Sequence, residues 1–305
     1  MTSSQQKTLL KKIFSLLSVV RGYNIGVLVI AQYLAAIFIF SPEKSVSYVV
    51  FDLHMLYLVL ATVSVVSAGY IINNFYDVKI DQINRPLKSG IDNYIHQNTK
   101  LRLYFFLNFI GFVFGFLVSF KAALFFAVYI FGIWFYSHKL KKYPFTGLLS
   151  ATVLTILPFF VVFIHFKNFS KIIFVHAIFL FLVIMVREII KDLQSLKGAI
   201  ANNYQTFPVK YGEKNAKKLS IGLLLLTLVP IFILFTYPEL SYMKYYFFLA
   251  IVILIFVGFY LFKSNSRNDY RFLHNTLKFL LLIGVISLVL IDTSLVIERV
   301  LDRLN

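Results

Sequence analysis

Residues 56–86 read LYLVLATVSVVSAGYIINNFYDVKIDQINRP, and this stretch decides the fold. It begins as an apolar run with no charged side chain before Asp77, and it ends in a cluster of amides, acids and bases. A membrane-spanning helix needs about 20 mostly apolar residues. The run therefore predicts a spanning helix over residues 48–72, and the polar cluster after it is the first place to look for chemistry.

The composition of the whole chain is that of a membrane protein. Of its 305 residues, 59% are hydrophobic and 14% are charged, and the mean hydropathy is +0.80. Soluble domains carry about 25% charged residues. The chain has no cysteine, which excludes disulfides, thiolate metal sites and cysteine nucleophiles. Residues 1–22 show no signal-peptide cleavage site and predict an amphipathic cytoplasmic segment on the membrane surface.

Nine segments are long and apolar enough to span a membrane. They are residues 23–40, 48–72, 99–119, 121–138, 146–166, 172–190, 217–237, 243–262 and 272–296. Two long polar segments, 73–98 and 191–216, follow the second and sixth helices, and we interpret them as cytoplasmic loops that carry the functional motifs. This spacing predicts a single all-α membrane domain over residues 1–305. Two four-helix halves and a ninth helix would surround a lipid-accessible central cavity.

The net charge of +17 would suggest a nucleic-acid partner in a soluble protein. Here 23 of the 30 cations, including Lys278 in the last loop, fall on the face of the amino terminus and the two motif segments. The other seven are Lys44, Lys121, Lys167, Lys171, Lys244, Arg299 and Arg303. The positive-inside rule then predicts a multi-pass protein of the cell (inner) membrane, with a cytoplasmic amino terminus and an external carboxyl terminus. Nucleic acid is not an expected partner.

The first polar motif, NNFYDVKIDQINRP, occupies residues 73–86. Asp77 and Asp81 are four residues apart, so a helix would place both carboxylates on one face. Hard oxygen donors without cysteine or histidine suit Mg²⁺, which usually bridges carboxylates to substrate phosphates. A simpler interpretation is a solvated loop in which Asp81 pairs with Lys79 or Arg85, and an isolated pair of acids favours it. The amides at the start of the motif are Asn73 and Asn74.

The second polar motif, REIIKDLQSLKG, occupies residues 187–198. Glu188 and Asp192 are again four residues apart at the end of a helix. Taken alone, this motif is an interfacial helix end with alternating charges. The pairing of the two motifs changes that interpretation. Each is an acidic stripe with basic companions, and both end equivalent helices on one membrane face. Together they would hold a diphosphate through Mg²⁺ above an apolar cavity. The segment after the fourth helix, residues 136–144, would bring further cations to the same place.

The chain resembles the UbiA-type superfamily of intramembrane prenyltransferases in these two motifs. The resemblance covers essentially the whole length of the chain, since the nine helices match as well. The first motif is similar to the family pattern NDxxDxxxD followed by Arg-Pro, with Asn74 at the first acid. The second is most similar to the geranylgeranylglyceryl-phosphate synthase-like branch, REIxKDxxDxxGDxxxxxxTLP, with Ser195 and Ala199 at two acidic positions. Arg21 and Asn24 resemble the basic residue and asparagine that begin the family's first helix.

The resemblance implies Mg²⁺-dependent transfer of a polyprenyl group from an allylic diphosphate to an aromatic or glycerol-phosphate-type acceptor within the membrane. It implies Asp77, Asp81 and Asp192 as catalytic metal ligands, with Glu188 as a further ligand that substitutes for a missing acid. The residues expected to bind substrate are Asn73, Asn74, Arg85, Tyr136, Lys141, Arg187, Lys191 and Lys210.

Two other functions stay open at the level of sequence. The first is a non-catalytic relative that binds a prenyl lipid or a partner without turnover, and the loss of acids at Ser195 and Ala199 favours it. The second is a secondary transporter, which the near absence of charge and proline from the helix interiors disfavours. The remaining histidines show no ligand spacing and receive no role.

Overall fold

A computed structural model describes residues 3–292 of the chain. Within that range the structure is helical, has no strand, and contains nine helices long and apolar enough to cross a membrane. The prediction of an all-α fold with nine spanning helices is therefore confirmed for the described residues. The end of the ninth predicted helix after residue 292 lies outside them. So do Arg299, Arg303 and the carboxyl terminus.

Fourteen α-helices are described, joined by short turns and short 3₁₀ or π segments. In chain order they are α1 (Ser3–Val19), α2 (Gly22–Ala35), α3 (Val46–Phe51), α4 (Leu53–Asn84), α5 (Pro86–Asp92), α6 (Gln97–Val118), α7 (Phe120–His138), α8 (Pro144–Phe166), α9 (Lys171–Gln194), α10 (Leu196–Ala201), α11 (Phe207–Tyr211), α12 (Glu213–Phe235), α13 (Lys244–Lys263) and α14 (Arg267–Ser287). The nine spanning segments are built on α2, α4, α6, α7, α8, α9, α12, α13 and α14.

The first motif is part of a helix, so the interpretation of residues 73–98 as a loop was wrong. Helix α4 begins after Asp52, whose carboxylate accepts hydrogen bonds from the backbone N–H groups of His54 and Met55. It then continues through the motif to Asn84 and ends where the ring of Pro86 prevents further helical hydrogen bonding. Hydropathy drops after residue 72 because the helix becomes polar there, but the helix itself continues to Asn84.

The second motif departs from the loop interpretation in the same way. Helix α9 extends to Gln194, and most of residues 195–216 form the short helices α10 and α11 and the start of α12. Both acidic stripes therefore project from the last turns of long helices. A helix fixes the direction of each side chain more firmly than a loop does.

The amphipathic segment predicted over residues 1–22 contains helix α1. An exposed apolar stripe at helical spacing consists of Leu10, Ile13, Phe14 and Leu17. The opposite side faces α5, where the Ser18 hydroxyl donates a hydrogen bond of 2.6 Å to Asp92. A helix with one exposed apolar side and one side bound to the protein suits the membrane interface.

The spanning helices form a closed ring around a cavity. The first motif helix, α4, packs against α6 and α7. The second, α9, packs against α8, α12 and α14. Contact between α2 and α14 closes the ring. The cavity has a volume of about 450 Å³ and is lined by α2, α4, α7, α8, α9, α13 and α14. On α9 the wall runs from Ile173 to Lys191, which is about 27 Å at 1.5 Å per residue.

The cavity is apolar over most of its depth and polar at the end where the motifs lie. Its charged wall residues are Arg21, Arg187, Glu188, Lys191 and Lys278. Phenylalanine, leucine, isoleucine and valine side chains dominate the rest of the wall. A molecule with a charged head and a long hydrocarbon tail would match this division.

A proline inside α8 shows how the helices around the cavity are held together. Pro158 has no N–H, so the carbonyl of Leu154 loses its helical partner. The hydroxyl of Tyr129 on α7 donates to that carbonyl at 3.1 Å. The side-chain amide of Gln32 on α2 donates to the Pro158 carbonyl at 2.8 Å. Three wall helices are thus linked by hydrogen bonds within the apolar region.

Replacing Tyr129 with phenylalanine removes the hydroxyl and leaves the Leu154 carbonyl without a partner. We expect Tyr129→Phe to lower the free energy of unfolding by about 1–3 kcal/mol, the usual cost of an unsatisfied buried acceptor. Thermal unfolding in detergent measures this effect. Tyr57→Phe is the matched control, because Tyr57 stacks on Phe114 and its hydroxyl forms no hydrogen bond with the part of the chain that the structure describes. Equal stability of the two variants would contradict a stabilising hydrogen bond between the Tyr129 hydroxyl and the Leu154 carbonyl.

Candidate functional site

The centre of the polar end is an ion pair between Lys141 and Asp77. The Nζ of Lys141 lies 2.5 Å from a carboxylate oxygen of Asp77 and 3.1 Å from the side-chain oxygen of Asn73. The Lys141 side chain is only 7% exposed. A buried ammonium group with two oxygen partners is well satisfied, so it fixes the position of both first-motif residues.

A short turn between α7 and α8 carries Lys141. Residues Leu140–Lys142 form one turn of 3₁₀ helix, and Gly147 on α8 packs directly under it. A Cβ at Gly147 would lie 3.1 Å from the Leu140 carbonyl oxygen and 3.2 Å from the Lys141 Cα. The small residue lets the turn approach α8 closely and point Lys141 at α4.

The second motif contributes a second ion pair. Lys191 donates to Glu188 at 2.5 Å, and both residues line the cavity together with Arg187. An i,i+3 ion pair of this kind is common at the end of a helix. This one differs because both of its residues lie in the cavity wall. The Nε of Arg187 is buried and has no hydrogen-bond partner within the described part of the chain.

Both motifs lie near the end of α7. The hydroxyl of Tyr136 is within electrostatic range of Asp77 from the first motif and of Glu188 and Asp192 from the second. Lys141 is similarly within range of Lys191. The structure therefore brings the two motifs to one end of the cavity, where Asn73 of the first and Glu188 of the second lie in the wall.

A hydrogen-bonded clamp joins the ends of the two motif helices directly. The amide nitrogen of Asn84 donates to the Ser195 carbonyl at 3.2 Å, and its oxygen accepts from the Gly198 N–H at 3.3 Å. A Cβ at residue 198 would collide with the Asn84 side chain, so the contact requires glycine. The Ser195 hydroxyl donates to the Lys191 carbonyl, and Ala199 is buried. The family pattern has acids at residues 195 and 199. In this protein Ser195 and Ala199 contribute contacts to the backbone there and no carboxylate.

Asp81 and Arg85 lie at the outer edge of the site. Neither of the ion pairs proposed for Asp81, with Lys79 or with Arg85, is present at 4.0 Å or less among residues 3–292. Burial and the nearby Arg21 guanidinium lower the pKa of Arg85, and Asp81 opposes that effect. A partly buried guanidinium beside other arginines favours an anionic ligand.

The turn after α10 adds a hydroxyl to the site. Burial, and then the negative charge of Asp77, raises the pKa of Tyr204 above its ordinary value. The Gln205 N–H donates to the Lys142 carbonyl at 2.8 Å, which ties this turn to the turn that carries Lys141. Tyr204 is therefore a neutral hydrogen-bond donor close to the first motif.

Asn74 does not belong to this cluster. Its amide nitrogen donates to Asp92 at 3.1 Å, and its oxygen accepts from Lys100 at 2.9 Å. Asp92 also pairs with Lys88 at 2.5 Å. These contacts join α4, α5 and α6 on a different side of α4. An amide suits this place because it must donate to a carboxylate and accept from an ammonium group at once. The structure therefore places Asn74 at the junction of these helices and not in the substrate-binding position predicted for it.

Lys210 also lies apart from the site. It is exposed on α11, and its recorded contact is with the ring of Tyr211, 5.5 Å from the centroid. The sequence placed Lys210 near phosphate because it follows the second motif in a family-like pattern. Neither α10 nor α11 contributes a residue to the cavity wall, so proximity in sequence to the second motif does not bring Lys210 to the cavity.

The sequence assigned Lys278 to a cytoplasmic loop, and that assignment was wrong. Lys278 lies inside α14 and lines the cavity, where it donates to Asn24 at 3.1 Å. Arg21 is also in the wall, in a left-handed conformation with φ of 53°, 4.9 Å from the centroid of the Tyr70 ring. A lone lysine within an apolar helix was the available signal, because such a charge is costly without a function.

The donors at this end of the cavity suit a metal that is held jointly with a substrate. Within residues 3–292, no group of three or more acidic or histidine side chains could hold a metal ion. The carboxylates of Asp81 and Asp192 make no recorded hydrogen bond or ion pair there, and Asn73 adds an amide oxygen. Mg²⁺ commonly uses one or two carboxylates and completes its shell with water and phosphate oxygens.

The comparisons with known proteins agree with this architecture. A family model described as the UbiA prenyltransferase family matches residues 29–283. The digeranylgeranylglyceryl phosphate synthase of Methanobrevibacter smithii is 29% identical over 281 residues, covering 88% of this chain and 94% of that relative. The enzyme of the same name from Saccharolobus solfataricus is 30% identical over 201 residues, covering 64% of this chain and 68% of the relative.

Solved structures share the fold. A digeranylgeranylglyceryl phosphate synthase structure matches with a TM-score of 0.68 at 21% identity, covering 91% of this chain and 97% of that one. A UbiA homolog from Archaeoglobus fulgidus, bound to GPP and Mg²⁺, matches with a TM-score of 0.65 at 14% identity, covering 90% and 99%. The membrane fold predicted from the spacing of the apolar segments is confirmed by these likenesses.

The Asn84 clamp makes a specific prediction about coupled variants. Gly198→Ala displaces the Asn84 side chain, and Asn84→Ala removes it. Each therefore breaks both hydrogen bonds of the clamp and leaves the residue-198 N–H without its Asn84 partner, whereas the Ser195 carbonyl keeps the Ala199 N–H. We expect each variant to lower the free energy of unfolding by about 1–3 kcal/mol. The double variant should cost no more than the larger single change, since both remove the same contact.

Thermal unfolding in detergent measures all three proteins. Gly222→Ala is the control, because a Cβ there meets no atom within 4 Å. Additive losses in the double variant would show that Asn84 and Gly198 act independently, and would refute the clamp.

Proposed function

Because the chain belongs to the UbiA prenyltransferase family, we propose that it transfers a prenyl group from an allylic diphosphate to an aromatic or glycerol-phosphate-type acceptor within the membrane. The observation that carries this proposal is the meeting of two acidic motifs at the polar end of an apolar cavity. The relatives named digeranylgeranylglyceryl phosphate synthase support the glycerol-phosphate acceptor in particular.

The diphosphate of the donor would bind between α4, α7 and α9. Lys141 and Lys191 already hold carboxylates at 2.5 Å, so both ammonium groups point into the site. Arg187 offers a buried Nε without a hydrogen-bond partner within the described residues. Charge-assisted hydrogen bonds from lysine and arginine to phosphate oxygens are among the strongest in proteins.

Asp77, Asp81 and Asp192 would hold Mg²⁺ together with the diphosphate, and Glu188 would contribute a further carboxylate. The bound metal supplies positive charge that stabilises the departing diphosphate. Asn73 would add its amide oxygen on the α4 side. Tyr136 lies between the two stripes, and its hydroxyl would donate to whichever anionic oxygen lies closest.

The reaction breaks the bond between the allylic carbon and its oxygen, and the diphosphate leaves with the electron pair. The nucleophilic atom of the acceptor then bonds to the allylic carbon, and its proton passes to the released diphosphate. The apolar wall would exclude water from the cationic carbon, and the ring faces of Tyr129 and Tyr136 in the wall would stabilise it. The hydrocarbon tail would lie in the deep part of the cavity.

The orientation in the membrane follows from the same cations that suggested it in the sequence. We propose that the motif end of the cavity faces the cytoplasm of a cell (inner) membrane, because most lysine and arginine residues lie on that side. The exposed apolar stripe of α1 would rest in the same interface.

One observation favours a second candidate, a membrane protein that binds a prenyl lipid without turnover. Ser195 and Ala199 contribute no carboxylate, and the hydroxyl of Ser195 is occupied by the Lys191 carbonyl. Transfer measured directly separates the two candidates. The purified protein would be supplied with Mg²⁺, geranylgeranyl or farnesyl diphosphate, and a panel of aromatic and glycerol-phosphate acceptors. No transfer with any pair would overturn the catalytic proposal.

The acids of both motifs are expected to be necessary for transfer. Asp77→Asn and Asp192→Asn should each lower the rate at least about 100-fold. A carboxylate about 4 Å from a cation contributes a few kcal/mol at an effective dielectric of about 20, and about 1.4 kcal/mol is a factor of ten. Glu43→Gln, in an exposed turn after the first spanning segment, is the control. A rate near that of wild type in either motif variant would exclude that acid as a ligand.

Removal of divalent metal should abolish transfer reversibly. We expect excess EDTA to stop product formation and added Mg²⁺ to restore it. The described residues include no group of three acidic or histidine side chains that would hold the ion alone, so the ion would be bound jointly with the diphosphate and would exchange with the solvent. Product formation is followed with a radiolabelled donor. Full activity in EDTA would show that the cations alone bind and activate the diphosphate.

A further inference from the structure

A groove on the outer surface of the helix bundle is separate from the central cavity. It lies between α4, α6 and α7 and has a volume of about 470 Å³. Ten residues form its wall, and none of them belongs to the wall of the central cavity. Six of the ten are aromatic, namely Phe75, Tyr76, Tyr104, Phe105, Phe131 and Trp134. Helix α7 thus has the central cavity on one side and this groove on another.

The groove faces the membrane. All three of its helices are spanning segments. Phe105 on α6 is 67% exposed and Phe131 on α7 is 59% exposed, so the wall opens away from the bundle. From Ala127 to Trp134 the wall extends about 10 Å along α7 at 1.5 Å per residue. A concave apolar surface of this depth, with lipid around it, suits a hydrocarbon chain.

The end of the groove nearest the motifs carries polar aromatic rings. Tyr76 on α4 and Trp134 on α7 are the wall residues closest to the motif ends of their helices. The ring of His138 stacks on Trp134 at 5.4 Å and lies 5.4 Å from the ring of Tyr76. The hydroxyl of Tyr104 is within electrostatic range of Tyr76. Tyrosine and tryptophan are typical of the level where hydrocarbon meets lipid head groups.

Exposed cations lie beyond these rings. Lys79 is three residues after Tyr76, so it lies one turn farther along the same side of α4. Arg102 begins the second turn of α6, and Lys139 follows the end of α7. Among residues 3–292, none of these three cations has a carboxylate within 4.0 Å. The cations therefore remain available to a ligand.

The packing behind this end of the groove adds positive charge. Lys100 on α6 is only 1% exposed and donates to the side-chain oxygen of Asn74 at 2.9 Å. Asp92 accepts from Asn74 and pairs with Lys88, so two ammonium groups face one carboxylate. Neither α6 nor α7 contains an acidic residue. The electrostatic potential at this end of the groove favours an anion.

We propose that this groove binds one anionic phospholipid. Its acyl chain lies along the wall from Ala127 to Trp134, its glycerol region contacts Trp134 and Tyr76, and its phosphate lies near Lys79 and Arg102. The order from apolar wall to amphipathic rings to cations is the order of parts in a phospholipid. A second copy of the chain would bring no acidic side chain from α6 or α7 to these cations. The proposal is independent of prenyl transfer.

The bound lipid would contact the part of α4 that carries the first motif. The ring of Tyr76 lies in the groove wall, and the Nζ of Lys141 is 5.8 Å from its centroid. Lys141 in turn pairs with Asp77, the residue after Tyr76. The lipid therefore supports the outer side of the helical turn whose inner side faces the central cavity. Because it binds the folded protein, the lipid should also raise the unfolding temperature.

Trp134 makes the site directly measurable, because it is the only tryptophan in the chain. The full-length protein in a nonionic detergent is titrated with phosphatidylglycerol or phosphatidylcholine that carries bromine on its acyl chains, and quenching of Trp134 fluorescence is recorded. We expect saturable quenching by about one equivalent of the anionic lipid, bound at least about fivefold more tightly than the zwitterionic one. Native mass spectrometry counts the bound lipids independently.

A variant that fills the groove tests where the chain lies. Ala127→Phe places a ring in the wall and should weaken binding of phosphatidylglycerol at least about tenfold. Val128→Phe is the matched control, because Val128 is 63% exposed and lies outside the groove wall. It should change the affinity less than about threefold. Thermal unfolding identifies any loss of folding in either variant.

Removal of the cations tests the head group and does not alter packed residues. The double variant Lys79→Gln with Arg102→Gln should lose the preference for phosphatidylglycerol and still bind phosphatidylcholine. Lys263→Gln, at the exposed end of α13, is the control for removal of a lysine. If Ala127→Phe does not fold, this double variant decides the proposal.

Four results would overturn the proposal. Quenching that does not saturate and is equal for both lipids would show ordinary contact with bulk lipid. Equal affinity in Ala127→Phe and Val128→Phe would place the chain elsewhere. A preference for the anionic lipid that survives in the double cation variant would place the head group elsewhere. Quenching that is lost as the protein forms dimers, measured by light scattering, would show that a second copy of the chain covers the groove.

Discussion

The ion pair between Lys141 and Asp77 is the contact on which the polar end of the cavity depends. Charge within a membrane bundle is stable only when it is paired or directed into a polar cavity. Lys141 meets this constraint at 2.5 Å from Asp77 and 3.1 Å from Asn73. Lys141 lies on the turn between α7 and α8. Its contact with Asp77 therefore also positions α4 relative to α7 and α8.

A second constraint joins the helix ends themselves. Asn84 binds the backbone at Ser195 and Gly198, next to Ser195 and Ala199, the two positions where the family pattern has further acids. Fewer acids reduce the negative charge in the site, and a direct hydrogen-bonded link then holds the two motifs together without relying on a metal. The same reduction leaves Arg21, Arg187 and Lys278 as an excess of positive charge on the other side of the cavity.

The sequence was sufficient for the fold and for the pairing of the motifs, because apolar length and acid spacing are local signals. It was not sufficient for contacts that depend on where helices meet. Asn74 has the spacing of the site but binds Asp92 and Lys100, and only the packing of α4 against α5 and α6 reveals this. Lys278 was counted with the last loop although it falls within the ninth apolar segment, because hydropathy does not show which side of a helix faces a cavity. The polar ends of α4 and α9 were predicted as loops for a different reason, since a drop in hydropathy marks the end of an apolar run and not the end of its helix.

The most direct measurement is equilibrium binding of a prenyl thiolo-diphosphate, which resists loss of its diphosphate, by isothermal titration calorimetry with and without Mg²⁺. If both motifs form one site, wild type binds one equivalent and requires Mg²⁺. Asp77→Asn on α4 and Asp192→Asn on α9 should then each weaken binding at least tenfold, an effect of about 1.4 kcal/mol or more. Binding that is independent of Mg²⁺, or that only one of the two variants weakens, would contradict a single site shared by the two helices.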